Sequence, residues 1–207
     1  KAIDGFISLD GLDIGRVVNQ ATGSRRFRII YTGPGGHSFS AFGLPSATHA
    51  LGRAIAKISE VRTPDEPKTT YTVGTDKGGT SVNAIAAEAE LGLDMRSNSA
   101  VELKKLEDRI LGLAREAADD ENRRWNQKDL IKVEFKLVGD RPAGAGDFND
   151  PILHAARRSV VAVGGEVKAV GASSTDSNLP ISLGIPAVTL GSGGVGGGSH
   201  GPGEWYS

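Results

Sequence analysis

At 207 residues, with 24 Lys plus Arg against 25 Asp plus Glu and a net charge of -1, the chain is long enough for a buried core and carries no signature of a polyanion partner. Nucleic acid is therefore not expected as a partner. It has no cysteine, which removes disulfides, thiolate metal sites and cysteine nucleophiles together, so any metal must sit on His and carboxylates. No apolar run reaches the ~20 residues of a membrane span, and the first residues lack a signal-peptide pattern. No membrane association is expected, and localisation stays open with the cytoplasm favoured. Glycine is the anomaly: there are 29, about twice the background of about 7%, and they crowd into residues 191–203.

In chain order, residues 6–9 read as a short apolar strand ending at Asp10-Gly11. Residues 25–32 (RRFRIIYT) form a β-branched and aromatic strand that runs into Gly33-Pro34-Gly35-Gly36. Residues 45–58 follow as a helix, with Ala47, Leu51, Ala54, Ile55 and Ile58 on one face. Residues 69–75 alternate as a strand, Asp76-Lys77-Gly78-Gly79 read as a turn, and residues 86–95 alternate again, placing Ala87, Ala89, Leu91, Leu93 and Met95 on one side. Ser99 and Glu102 form an S-x-x-E box opening a long helix whose stripe is Val101, Leu103, Leu106, Ile110, Leu113, Ala114 and Ala117. Residues 131–138 close the series as a strand. The order is βαββαβ, a ferredoxin-like domain, over residues 23–139.

The flanking segments belong to something else. Residues 151–163 read as a helix, 168–170 as a strand, 178–183 as a short helix stopped by Gly184, and 187–190 as a buried strand. Glu204-Trp205-Tyr206-Ser207 resembles the first turn of a helix. The expected organisation is a ferredoxin-like domain (23–139) inserted between two pieces, 1–22 and 140–207, of an α/β domain that these pieces are too short to complete.

Several polar residues stand where chemistry is usually placed. His37 follows a strand on a glycine turn and could donate to a developing oxyanion or simply cap the turn. Asn83 could donate an amide hydrogen bond, and Arg96 could clamp a carboxylate or pair with Asp94. Residues 173–178 (SSTDSN) read as a helix N-cap cluster or as part of a site. The glycine run follows a buried strand and contains His200. Composition suggests a linker, whereas a loop at the carboxyl end of a strand is where α/β folds place ligands. His49 and His154 read as structural.

Three segments, GPGGHSFSAFGLPSATHALGRAIAKI, GGTSVNAIAAEAELGLDMRS and SSTDSNLPISLGIPAVTLGSGGVGGGSHGPGEW, occur in this order. Together they closely resemble the co-catalytic zinc amidohydrolases, a family that includes acetylornithine deacetylase, succinyl-diaminopimelate desuccinylase, glutamate carboxypeptidase, aminoacylase and the tripeptidases. The resemblance implies an α/β chain: a ferredoxin-like dimerisation, or lid, domain inserted in an incomplete zinc-peptidase catalytic domain. It further implies two zinc ions per active site, a homodimer through the lid, and a short peptide or N-acyl amino acid as substrate. Within it, His37 matches a lid histidine that reaches the partner subunit's site and stabilises the oxyanion. Asn83 and Arg96 match substrate-binding positions, Ser174, Thr175, Asp176, Gly193 and Gly194 match pocket-lining positions, and His200 matches a zinc ligand. The family's H-x-D motif and adjacent Glu pair, which supply further ligands and the general base, do not occur here. The resemblance therefore implies a fragment that is inactive without the N-terminal half of its catalytic domain. The alternative is a non-catalytic dimerisation or amino-acid-binding module.

Overall fold

The computed structural model describes residues 3–199 and 201–207, and the chain divides into two compact units. Unit 1 comprises residues 1–23, 98–100 and 141–207, and unit 2 comprises residues 24–97 and 101–140. The chain opens with β1 (Phe6–Leu9) and β2 (Arg16–Ala21). It continues through β3 (Gly23–Thr32), β4 (Gly36–His37), α1 (Ala47–Ser59), β5 (Thr69–Gly78), β6 (Ala84–Ile85), β7 (Glu88–Ser97), α2 (Ala100–Arg124) and β8 (Lys132–Arg141). It ends with β9 (Gly144–Ala145), α3 (Pro151–Ala162), β10 (Ala169–Ser173), α4 (Asn178–Ser182), β11 (Ala187–Leu190), β12 (Gly196–Gly197) and β13 (Trp205–Tyr206).

In unit 2 the sheet order is β5-β7-β3-β8, the ferredoxin-like arrangement expected from the element order. Alternation sends Ala89, Leu91, Leu93 and Met95 of β7, with Phe27, Ile29 and Tyr31 of β3, toward Leu51, Ala54 and Ile58 of α1 and Leu106, Ile110 and Ala114 of α2. Each fully buried Leu, Ile or Met on this face contributes roughly 1.5–3 kcal/mol of transfer free energy. The opposite face of the sheet carries Arg26 and Arg28 of β3, paired across strands with Asp94 and Glu90 of β7, and Arg96, which pairs with Asp94 along β7.

Three local expectations are corrected here. Asp76 to Gly78 continue β5, paired with Leu91, Glu90 and Ala89, because a register shift between Val73 and Thr75 breaks the simple alternation, and the reversal falls after Gly79. Ala86 is buried and Ala87 exposed, since the chain is irregular between β6 and β7 and Ala47 N–H bonds to the Ala86 carbonyl at 3.0 Å. Val101 is 63% exposed; it sits in the first turn of α2, outside the stripe that Leu103 begins.

In unit 1 the sheet order is β1-β11-β2-β10, with β9 also on β2. The β1/β11 and β10/β2 pairs are parallel and β11/β2 is antiparallel. Leu153, Ala156 and Val160 of α3 pack on Val17 and Val188, while Ile181 of α4 packs on Ala21 and Ala187. The two flanking pieces together build a five-stranded sheet. The strand not expected from the sequence is β2, whose RVVNQA run does not alternate and whose ladder with β10 carries a bulge at Asn19.

The glycine run is a folded segment. Gly191 is required because a Cβ there would lie 1.9 Å from the Asp13 carbonyl oxygen. Gly196 and Gly197 pair antiparallel with Tyr206 and Trp205, and the indole Nε1 of Trp205 occupies space 3.0 Å from a Cβ added to Gly197. Residues 204–207 thus end in a strand, not in the expected helical turn: aromatic side chains on a glycine backbone outweigh the local helical pattern.

Candidate functional site

Unit 2 brings two of the expected residues together. His37 of β4 pairs with Ala84 of β6, and the Ser38 N–H donates to the Asn83 carbonyl at 2.9 Å, so residues 46 positions apart in sequence share one tip of the unit. The exposed imidazole is held by its own loop: the Phe39 N–H donates to Nδ1 at 3.2 Å, and the Ser40 N–H approaches at 3.5 Å. An imidazole whose Nδ1 accepts carries its proton on Nε2, which leaves Nε2–H as an outward donor. Asn83 accepts from the Ser81 hydroxyl through Oδ1 at 2.6 Å, which orients its amide. A groove of about 450 Å³ adjoins the tip, lined in part by Gly35, Gly36, Lys77, Gly79, Ile85 and Glu88.

The loop after His37 is anchored to the helices. Phe42 packs edge-on against Trp125, with centroids 5.3 Å apart, and the Trp125 indole donates to Glu121 at 3.1 Å. The side chain of Glu121 is fully buried. It also accepts from the Ser46 N–H at 3.2 Å and from Arg53 Nε at 3.0 Å. His49 Nδ1 lies 3.4 Å away. Burial pushes the Glu121 carboxyl up, but Arg53, the Ser46 N–H, Trp125 and His49 outweigh it and hold it below its ordinary value.

Arg96 is not at this tip. It pairs with Thr70 near the far end of β7, seven residues beyond Ala89, which lines the groove; at about 3.3 Å per residue that is ~23 Å. Its Nε donates to Asp94 Oδ2 at 2.8 Å. Asp94 also accepts from Arg26, a residue the motifs did not single out, although its i, i+2 spacing from Arg28 on β3 puts both on one sheet face.

In unit 1 the expected residues have unequal surroundings. Thr175 is buried, and its hydroxyl is spent on Thr189 Oγ1 at 2.9 Å and on the Ser177 N–H at 3.3 Å, so its side chain holds the turn into α4. Ser174 is half-buried and Asp176 exposed. Gly193 and Gly194 have φ of +73° and +82°, and the Gly193 carbonyl accepts from the Tyr206 hydroxyl at 3.2 Å. His200 lies outside the described residues. Asp10, at the carboxyl end of β1, is exposed and its N–H donates to the Leu190 carbonyl at 2.9 Å. Among the described residues no group of three or more His, Cys, Asp or Glu could hold a metal ion. They do not by themselves fit a zinc site, which takes at least three protein ligands.

A family profile for the peptidase dimerisation domain (M20 dimer) matches residues 19–122. The chain belongs to this family. The M20 dimerisation domain coincides with most of unit 2 and accounts for its ferredoxin-like fold. No curated protein sequence matches the chain. Among solved structures, a tripeptidase from Staphylococcus aureus is similar at a TM-score of 0.79 and 21% identity, covering 99% of this chain and 52% of its own. Aminopeptidase PepT from Bacillus cereus is similar at 0.75 and 21%, covering 97% and 52%. An aminobenzoyl-glutamate utilization protein from Klebsiella pneumoniae is similar at 0.69 and 18%, covering 92% and 50%. The M20 dimerisation-domain chain thus spans about half the length of these relatives, and at such identities the likeness establishes the fold. No helix among the described residues is long and apolar enough to cross a membrane.

Proposed function

We propose that this chain is the dimerisation unit and C-terminal catalytic piece of a zinc-dependent peptidase or deacylase. Its substrate is a short peptide or an N-acyl amino acid, and it works as a homodimer. The observation that carries this reading is the separation of His37 from Arg96. About 23 Å of β7 lies between Ala89, in the groove beside the His37 tip, and Arg96, whereas a dipeptide spans about 7 Å fully extended. One small substrate can meet both groups only if they come from two protomers, as a two-fold dimer provides.

In that arrangement the Nε2–H of His37 donates to the carbonyl oxygen of the scissile amide, which becomes negative as the tetrahedral centre forms. Asn83 orients the same region with its amide, and Arg96 binds the substrate's free carboxylate as an ionic hydrogen-bonded pair. Ser174, Asp176, Gly193 and Gly194 line the pocket, with Thr175 fixing the turn that presents them, and His200 is a metal ligand. The other ligands and the general base belong to the catalytic half that this chain does not span. The sheet edge supports that assignment: Ile7 and Leu9 of β1 are 60% and 66% exposed, although they share a face with Val188 and Leu190, which α3 covers. Apolar side chains on an unpaired edge strand are what a missing layer would bury.

Purified as 207 residues, the chain is expected to bind zinc well below one equivalent and to hydrolyse no N-acyl amino acid, while the full-length protein does both. Stoichiometric tight zinc, or turnover, on the 207-residue chain would contradict this reading.

A further inference from the structure

Two arginines on the open face of the unit 2 sheet converge on one carboxylate. Arg26 Nε donates to Asp94 Oδ1 and Arg96 Nε to Asp94 Oδ2, each at 2.8 Å. Their side chains are 52% and 43% exposed, against 27% for Asp94. A guanidinium has five N–H donors; each arginine spends its Nε here, and the Nη groups of both have no partner among the described residues.

The neighbouring pair on the same two strands behaves differently. Arg28 engages both oxygens of Glu90, through Nε at 2.8 Å and through Nη2, so that its fork is filled. Glu90 thus faces one guanidinium, held bidentately, with the Lys77 ammonium farther off at 3.9 Å. At Asp94 two guanidiniums meet one anion, each through its Nε alone, which leaves two unfilled forks held by one carboxylate. The residues opposite, Thr70 beside Arg96 and Thr72 beside Asp94, are small and bring hydroxyls to the rim. Asp94 stays charged: burial raises its carboxyl, and Arg96 and Arg26 outweigh that and lower it.

We propose that Arg26 is a second carboxylate-binding guanidinium beside Arg96, that Asp94 positions the two forks, and that the substrate therefore carries a dicarboxylic amino acid, an aspartyl or glutamyl unit. The inference rests on the reading of Arg96 given above and deepens it, because one fork takes the free α-carboxylate and the other the side-chain carboxylate.

The test is direct binding to the 207-residue chain, followed through its arginine Nε–Hε resonances during titration with glutarate and with butyrate. Glutarate is expected to shift both Arg26 and Arg96 and to bind about tenfold or more tightly than butyrate, the value of one ionic hydrogen-bonded contact. Arg26→Gln brings glutarate to the butyrate level. Asp94→Asn separates positioning from net charge: it adds positive charge yet is expected to weaken glutarate binding, whereas a purely electrostatic face would bind more tightly. Equal affinities for the two probes, an unchanged glutarate affinity in Arg26→Gln, or tighter binding in Asp94→Asn overturns the proposal. In the full-length protein, Arg26→Gln should lower kcat/KM for N-acetylglutamate about tenfold relative to N-acetylleucine. Absence of any hydrolysis by the wild type would overturn the functional reading instead, and the titration would still decide this one.

Discussion

Glu121→Ala is expected to destabilise unit 2 by about 3–5 kcal/mol, the range for breaking a buried ionic cluster from one side. The carboxylate takes four neighbours at once: the Ser46 N–H, Arg53, the Trp125 indole and His49. Removing it leaves the Ser46 N–H without an acceptor in the interior, a cost of about 1–3 kcal/mol by itself. The effect reaches the tip, because Ser46 starts α1 and Trp125 carries Phe42 from the loop after His37. Urea unfolding should show a lower midpoint at an unchanged slope. The pH dependence has a definite sign. The folded-state carboxyl lies below its ordinary value, so the charged cluster contributes fully above the unfolded pKa of about 4.3 and is lost as pH falls through the lower folded value. The stability gap between wild type and Glu121→Gln should therefore be widest near neutrality and narrow below about pH 4; a gap that widens toward acid would mean that Glu121 is buried as the neutral acid.

The second large effect concerns catalysis. In the full-length protein, His37→Ala is expected to lower kcat about 10²–10³-fold, the cost of removing one oxyanion donor, with a smaller change in KM, because the donor acts on charge that exists only in the transition state. Stability should change little, since the side chain is exposed and accepts from two amides of its own loop. A loss confined to KM would assign His37 to substrate binding instead.

Much of this architecture is legible in the sequence where pattern and environment agree. Phe6–Leu9 and Ala187–Leu190 are read to the residue because both are short apolar runs bounded by turn residues. β2 is invisible because its RVVNQA run does not alternate, and the reading depends on that period. Residues 204–207 mislead because their partner is the glycine run, and a strand made of Gly196 and Gly197 has no side-chain pattern to read. At the site, His37 and Asn83 are separately visible as loop residues, but their union depends on the β4/β6 ladder. The distance to Arg96 follows from strand rise once β7 is known to run unbroken from Glu88 to Ser97. Arg26 is hidden for the reason cross-strand partners generally are: alternation gives the face a residue occupies and says nothing about register.

The central claim, that His37 of one protomer and Arg96 of the other serve the same substrate, is tested most directly by mixing two inactive variants of the full-length protein, His37→Ala and Arg96→Ala. Random reassortment makes about half the dimers mixed, each with one intact site of two, so about a quarter of the wild-type activity should return. If both residues act from one protomer, every site in every mixed dimer lacks one of them. Activity that stays at the level of the separate variants, after subunit exchange has been verified, would contradict the account.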